Sequence, residues 1–206
     1  AQYSGWGGLS DAFEPNKDSW HSEYTELKSL LTEEEYAAAR SSTLTAFYTP
    51  PEVIDAMYTT LRKMGVGAGT ILEPSMGAGA FFGQSHSYLY EPTTRLFGVE
   101  LDSLTGRIAR QLYQKANIQI TGFEKADLPD SFFDVVIGNV PFGDYSVVDP
   151  QYNRLHFKIH DYFFAKSIDK LRTGGIIAFI TTSGTLDKKS EEVRRYINAR
   201  CDFIGA

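Results

Sequence analysis

The chain is poor in several features, and each scarcity closes off a class of protein. A single cysteine, Cys201, rules out an internal disulfide and suits a reducing compartment. No run of about eighteen apolar residues occurs and no signal-peptide pattern opens the chain, so it reads as soluble and cytoplasmic, with no membrane partner. Positive charge is also short: 20 Lys and Arg stand against 26 Asp and Glu, a net charge of −6. Proteins that grip nucleic acid by phosphate neutralisation alone show the opposite balance, so for a DNA partner much of the grip must lie elsewhere. The four histidines, His21, His86, His156 and His160, fall at no metal-ligand spacing with Cys or Asp, and no structural zinc is expected. What remains is 206 residues, 42% hydrophobic and 22% charged, enough for one globular domain with an appendage.

From Ala1 to about Ser42 the chain is polar, aromatic and helix-prone. Three glycines in Gly5-Trp6-Gly7-Gly8 forbid a regular helix and predict a turn that buries the tryptophan. Ser19 to Leu31 carries Tyr24, Leu27 and Leu31 at spacings of three and four, an apolar stripe on one helix. Thr32 with Glu35 forms a capping box that opens a second helix through Arg40. This segment reads as a helical arm packed on the main domain, either as plain packing or as a lid or docking element. Next come Phe47, Tyr48, Thr49 and Pro50, just ahead of a helix begun by Pro51 whose buried face is Val53, Ile54, Met57 and Leu61. A helix start is a place where backbone N–H groups favour a carboxylate or phosphate.

Thr70 to Glu73 is a short strand running into Pro74-Ser75-Met76-Gly77-Ala78-Gly79-Ala80-Phe81-Phe82, a glycine turn that opens a helix. Strand, Gly-x-Gly and helix form a nucleotide-type entry, in which glycines let backbone approach a ligand closely. The third glycine of the dinucleotide fingerprint is absent, since position 82 is Phe, and no Gly-Lys-Ser/Thr follows, which excludes a phosphate-binding Walker loop. Glu73 is an acid better placed for an amine than for a pyrophosphate. Arg95 to Asp102 is a second strand; its Glu100, followed by Leu101, lies 21 residues after Gly79, where a carboxylate serves ribose hydroxyls. A third strand, Ile118 to Thr121, ends at Gly122-Phe123-Glu124, where a ring could meet Phe123 and its amino group Glu124.

The apolar run Phe133 to Gly138 then stops abruptly at Asn139-Val140-Pro141-Phe142. An exocyclic amine on a heteroaromatic ring has a delocalised lone pair, and accepting hydrogen bonds from both its N–H groups frees that pair for attack. Asn139 Oδ1 and the Val140 carbonyl are two acceptors that need not ionise, and Pro141 restricts Val140 to extended conformations. Phe142 offers a face for a base, a contact worth about 1–3 kcal/mol in single-strand binders. The plainer alternative is a strand ending in a turn that happens to read Asn-x-Pro. Residues 143–158 form a long loop suited to substrate contact. Ile159 to Leu171 is an apolar-striped helix capped by Gly174-Gly175, and Ile176 to Thr181 a strand buried on both faces. A basic-faced helix from Ser190 to Ala199, with Arg194 and Arg195 and the preceding Lys188 and Lys189, faces either phosphates or solvent. Asp202 to Ala206 starts another strand. Alternating strands and helices, with each candidate at a strand's carboxyl end, make the chain α/β with a doubly wound parallel sheet.

With these residues in hand, the chain resembles the S-adenosylmethionine-dependent N6-adenine DNA methyltransferases. Ala46 to Pro50 is similar to their first cofactor motif, Leu72 to Phe81 to the glycine motif, Glu100 to the ribose acid, and Asn139 to Phe142 to their Asn-Pro-Pro-Tyr/Phe signature. The resemblance covers residues 44–206 and implies a Rossmann-like class I methyltransferase fold, mostly parallel, with strand order 3-2-1-4-5-7-6 and its last strands incomplete. It implies that residues 1–43 are a helical arm and 44–206 the catalytic domain. Cofactor contacts carry over to Phe47, Tyr48, Thr49, Pro50, Glu73, Pro74, Ser75, Gly77, Gly79, Phe81, Glu100, Leu101, Phe123 and Glu124, and catalysis to Asn139, Val140, Pro141 and Phe142. No metal is implied. The expected reaction is methyl transfer to the N6 amine of a flipped-out adenine in DNA, in a restriction-modification setting. Two positions depart from the family pattern: Val140 replaces a proline, and Phe123 stands where many relatives carry an Asp, leaving Glu124 as substitute. The nearest likeness is to the methylase region of large helicase-methylase polypeptides of bacterial mobile elements, which would put helicase and target-recognition regions elsewhere on the same chain. Indeed, Asn139 lies 60 residues after Gly79, which leaves no room between them for a DNA-reading domain. The same signature also serves enzymes acting on a glutamine amide or an RNA guanine amine, and a non-catalytic binding module would share the fold.

Overall fold

The computed structural model describes residues 5–43, 48–67, 69–88 and 93–206, with side chains left aside at 86–88. Five strands form one sheet: β1 (Thr70–Glu73), β2 (Arg95–Glu100), β3 (Asn117–Ile120), β4 (Phe133–Asn139) and β5 (Leu171–Ile180). They lie in the order β3-β2-β1-β4-β5, every pair parallel. This is the Rossmann-like architecture of class I methyltransferases, and the strand order reverses between β1 and β4, where doubly wound sheets open a crevice for ligands.

Helices cover both faces, and the period-2 alternation of strand residues sorts them. Leu72, Val136, Ile177 and Phe179 join a core with Tyr162 and Phe163 of α6 (Ile159–Lys170). Ile71, Val135, Ile137 and Ile176 face the other way, onto Ile54, Tyr58 and Leu61 of α3 (Pro51–Lys63) and Phe81 of α4 (Ala80–Tyr88). Tyr58 is fully buried, and its hydroxyl donates to the Phe81 carbonyl at 3.1 Å, so the helix after the glycine turn is tied to α3. Between β2 and β3 runs α5 (Ser103–Leu112), capped by Asp102, whose carboxylate accepts from the Leu104 and Thr105 N–H groups.

The N-terminal helices α1 (His21–Leu30) and α2 (Glu33–Ser42) have a hydrophobic cluster of their own: Ala12, Phe13, Tyr36 and Ala39, ringed by Trp6, Trp20, Tyr24, Leu27 and Leu31. Trp6 packs edge-on to Phe13 at 5.6 Å, as the glycine turn around it requires, although it is half-buried rather than enclosed. The capping box is formed: Thr32 accepts from Glu35 N–H, and the Glu35 carboxylate accepts from Thr32 N–H at 3.0 Å. Its other carboxylate oxygen pairs with Arg107 of α5, which fastens α2 to the sheet's outer layer.

Three sequence expectations fail at the carboxyl-terminal side. Gly174 and Gly175 do not cap α6; that helix ends at Lys170 and β5 begins at the next residue, with no loop between them. The glycines lie inside β5 at a register irregularity, where Phe133 pairs with Leu171 but Val135 pairs with Ile176. Gly174 takes φ of +77°, and a Cβ on Gly175 would press on Leu171 and the Asp134 carbonyl, so the bulge is what demands glycine. Nor is Ile176 to Ile180 buried on both faces; those residues are partly exposed, because among the described residues β5 pairs on one side alone. Asp202 to Ala206 forms no strand, and Phe203 and Ile204 are exposed. The last two helices are α7 (Gly184–Asp187) and α8 (Glu192–Asn198).

Candidate active site

The carboxyl ends of β1, β2, β3 and β4 open into one cavity of about 540 Å³. Glu73, Pro74, Ser75, Gly77 and Phe81 line it from the β1 side, Glu100 and Leu101 from β2, Phe123 and Glu124 from β3, and Asn139 and Pro141 from β4. Tyr48 and Thr49 border it too, from just ahead of α3. Phe47 lies outside the described residues. Pro50 is the residue before α3 and is absent from the lining.

Several hydrogen bonds hold the strand ends in register with each other. Ser75 Oγ donates to the Asn139 carbonyl at 2.9 Å, joining the glycine turn to the end of β4. The Glu100 carboxylate accepts from Gly77 N–H through one oxygen and from Asp102 N–H through the other, each at 2.8 Å. Met76 N–H donates to the Val99 carbonyl at 2.9 Å, so the turn also leans on β2. Gly77 has φ of +54°, and a Cβ there would meet nothing within 4 Å, while Gly79 behaves differently. Gly79 is absent from the lining; a Cβ there would overlap the Tyr113 ring, whose hydroxyl donates to the Gly79 carbonyl at 2.7 Å. The two glycines of the motif thus serve two purposes, the first leaving room at the cavity and the second admitting an aromatic ring from behind.

The electrostatics of the β1 and β2 ends are unusual. Glu73 is only 2% exposed and its Oε2 has no hydrogen-bond partner among the described residues. Burial, reinforced by the charge of Glu100, pushes its carboxyl well above the ordinary value. Burial also lifts Glu100, to about 7, against the lowering effect of backbone N–H groups, those of Asp102 and Gly77 foremost. A buried acid with an open oxygen suits a cationic amine. A second acid, braced by backbone, with remaining lone pairs suits hydroxyls. These residues fit S-adenosylmethionine, which carries an ammonium, a sulfonium and a ribose.

At the end of β4, Asn139 and Pro141 face the cavity while Val140 is buried among core residues and its N–H donates to the Ile180 carbonyl at 3.1 Å. Phe142 is 38% exposed and outside the lining. In its place the structure brings Tyr145 and Val147 of the following loop to the wall. The Tyr145 ring lies over Gly143, where a Cβ would come within 2.7 Å of it, and the Tyr145 carbonyl accepts from Ile159 N–H at 2.8 Å, pinning the loop to the start of α6. Sequence reasoning missed Tyr145; its sole signal was an aromatic residue three positions past Phe142. It also missed Ala38, Ser41 and Ser42 of α2, which close the outer wall. A run of small residues behind a capping box was the trace they left.

The cations for which the sequence left open phosphates or solvent are largely committed within the chain. Lys188 pairs with the buried Asp161, Arg194 donates to the Leu186 and Lys188 carbonyls, and Arg195 pairs with Glu191 at 2.7 Å.

The sheet order, the acids at the ends of β1 and β2, and the shared cavity define a Rossmann-like methyltransferase domain. Residues 30–203 match the family model described as N-6 DNA methylase, and the chain belongs to that family of S-adenosylmethionine-dependent DNA methyltransferases. It is 28% identical over 166 residues to the defense against restriction protein B of Escherichia phage P1, a match that takes in 78% of this chain and 7% of that protein. The fold is similar to the methyltransferase subunit of a type I restriction-modification system from Streptococcus thermophilus, with TM-score 0.63 and 19% identity over 87% of this chain and 47% of that one. It is also similar to a Vibrio vulnificus protein described as a modification subunit of a type I restriction enzyme, with TM-score 0.60 and 20% identity over 85% and 42%. The chain therefore spans less than half the length of these relatives.

Proposed function

We propose that this chain transfers a methyl group from S-adenosylmethionine to the N6 amine of adenine in DNA, and that it does so in the cavity shared by Asn139 and the acidic strand ends. The observation that supports this most directly is that one hollow of about 540 Å³ is bordered both by Asn139 and Pro141 and by Glu73, Gly77 and Glu100. Donor and acceptor of the methyl group must meet in one water-poor space, and proximity of this kind contributes several kcal/mol to catalysis. When bound, S-adenosylmethionine supplies a methyl carbon activated by its sulfonium. Glu73 holds the ammonium end, Glu100 the ribose hydroxyls, and Glu124 the adenine amine of the cofactor; Tyr48, Thr49, Pro74, Ser75 and Phe81 shape the walls. Asn139 Oδ1 and the Val140 carbonyl accept the two N–H bonds of the target amine and free its lone pair, and Pro141 fixes the direction of that carbonyl. An aromatic face for the flipped base comes from Phe142 or Tyr145, offsetting the few kcal/mol that unstacking costs.

Residues 1–43 act in this reading as an arm that completes the cofactor wall, and 44–206 as the catalytic domain. The full polypeptide carries helicase and target-recognition regions and belongs to a mobile element; support comes from the phage relative, of which the matched segment is a small part. The place of action is the cytoplasm, in keeping with the lack, among the described residues, of any helix long and apolar enough to cross a membrane.

The test is radiolabelled methyl transfer from S-adenosylmethionine to adenine-containing DNA. Asn139→Ala is expected to lower transfer by about 100-fold or more, the scale seen when one preorganised polar contact is removed from an active site, with binding of S-adenosylhomocysteine kept. Undiminished transfer would refute the role of Asn139, and loss of cofactor binding would refute the division of labour.

A further inference from the structure

Lys166 of α6 lies behind the cavity, 6% exposed, and its ammonium makes two hydrogen bonds. It donates to Asp149 Oδ2 at 3.0 Å and to the backbone carbonyl of Glu124 at 3.1 Å, with the Phe123 ring centroid 5.3 Å and the Tyr162 centroid 6.0 Å away. Asp149, equally buried, also accepts from the Tyr162 hydroxyl at 2.7 Å and from Gln151 N–H at 3.1 Å. Removing two such charges from water costs several kcal/mol per ion, and an apolar pair of the same volume is often no less stable. Stability alone therefore gives a weak account of why an ion pair stands here.

What the pair joins gives a better one. Asp149 belongs to the loop that carries Tyr145 and Val147 to the cavity wall, and Glu124 closes the β3 end of the same cavity. The Glu124 carboxylate folds over Gly122, where any Cβ would overlap it, and it makes no hydrogen bond among the described residues. It is an acceptor facing the cavity, with its own backbone held from the rear by Lys166. A loosened backbone would let that carboxylate wander, and a hydrogen bond to a ring amine depends on direction.

We propose that Lys166 is a positioning residue for cofactor selectivity: by clamping the Glu124 carbonyl against Asp149, it aims the Glu124 carboxylate at the exocyclic amine of the cofactor's adenine. This rests on the cofactor reading given above. A ring bearing a carbonyl at that position would set its lone pairs against the carboxylate and be rejected.

The experiment is calorimetric titration of S-adenosylhomocysteine and its deaminated analogue, S-inosylhomocysteine, into the wild-type chain, Lys166→Met, Lys166→Met/Asp149→Asn and Lys166→Arg. The double variant guards against misfolding, because it removes both buried charges together while its amide still accepts from Tyr162. The wild type should prefer the adenosyl compound by about 10- to 100-fold, the value of one charge-assisted hydrogen bond. In the double variant the preference should fall to within about threefold, through weaker adenosyl binding with inosyl binding nearly unchanged, and Lys166→Arg should restore part of it. If both ligands weaken together and their ratio stays at the wild-type value, Lys166 merely supports the fold and the proposal fails. A wild-type chain that binds S-adenosylhomocysteine without discrimination also overturns it, whereas one that binds neither compound overturns the cofactor reading itself.

Discussion

At the residue scale, the two acids of the cavity make stability and binding respond to pH in a definite sense. Glu100 is lifted to about 7 and Glu73 is lifted as well, so the folded chain holds these protons more tightly than the unfolded chain does. Their contribution is most favourable below the unfolded carboxyl value of 4.5 and declines as pH rises from there through the folded value. Melting temperature should therefore fall between pH 5 and about 8, and Glu100→Gln should flatten that fall; an unaltered slope would mean that Glu100 is ionised throughout. Binding a cationic amine at Glu73 runs the other way, because it needs the ionised form of a carboxyl whose value burial raises, so S-adenosylhomocysteine should bind more tightly as pH rises. The two motif glycines separate by the same kind of reasoning. Gly77→Ala places a methyl toward the cavity and should weaken cofactor binding, whereas Gly79→Ala collides with Tyr113 at φ of +87° and should lower melting temperature more. Calorimetry and thermal melts on both variants decide this, and identical behaviour would count against it.

At the element scale, short parallel strands bounded by turns were legible because burial on both faces leaves a continuous apolar run, as Val135-Val136-Ile137 does. The Thr32 capping box was legible for a local reason, a hydroxyl and a carboxylate three residues apart. Where α6 passes straight into β5, no such local mark exists: Lys170 is buried and held by the Leu128 carbonyl and Asp130, so tertiary contacts set the boundary rather than the glycines that follow. The helix α2 was legible as an element and illegible as a wall, since nothing in Ala38, Ser41 and Ser42 names what they face. Its capping box now carries a consequence for binding. Thr32→Ala should cost about 1 kcal/mol of stability and, by fraying the start of the helix that lines the cavity, loosen S-adenosylhomocysteine binding severalfold in the same titration. Weaker capping with unchanged affinity would show that the wall does not depend on that first turn.

At the scale of the whole molecule, the alternation of strands and helices gave the parallel sheet, the order β3-β2-β1-β4-β5 agrees with the one the family resemblance implied, and most of the residues picked from sequence do meet around one cavity. Those that do not, Pro50, Gly79, Val140 and Phe142, sit one or two positions from residues that do, because a motif fixes neighbourhood while side-chain direction is fixed by packing. The charge balance is equally a property of the whole. With a net charge of −6 and many surface cations paired to carboxylates, this chain should bind non-specific duplex DNA feebly, with a shallow dependence on salt measured by fluorescence anisotropy. A steep slope would reveal a phosphate-binding face that the pairing conceals.

The cluster of Phe13, Tyr36 and their neighbours has one more consequence. Because α2 keeps its apolar partners on its own side, displacing it would leave both hydrophobic layers against the sheet intact. In the proposed reaction, spent cofactor would then exit past a side wall rather than through the interior, and weakening the Glu35–Arg107 clasp should speed its exchange.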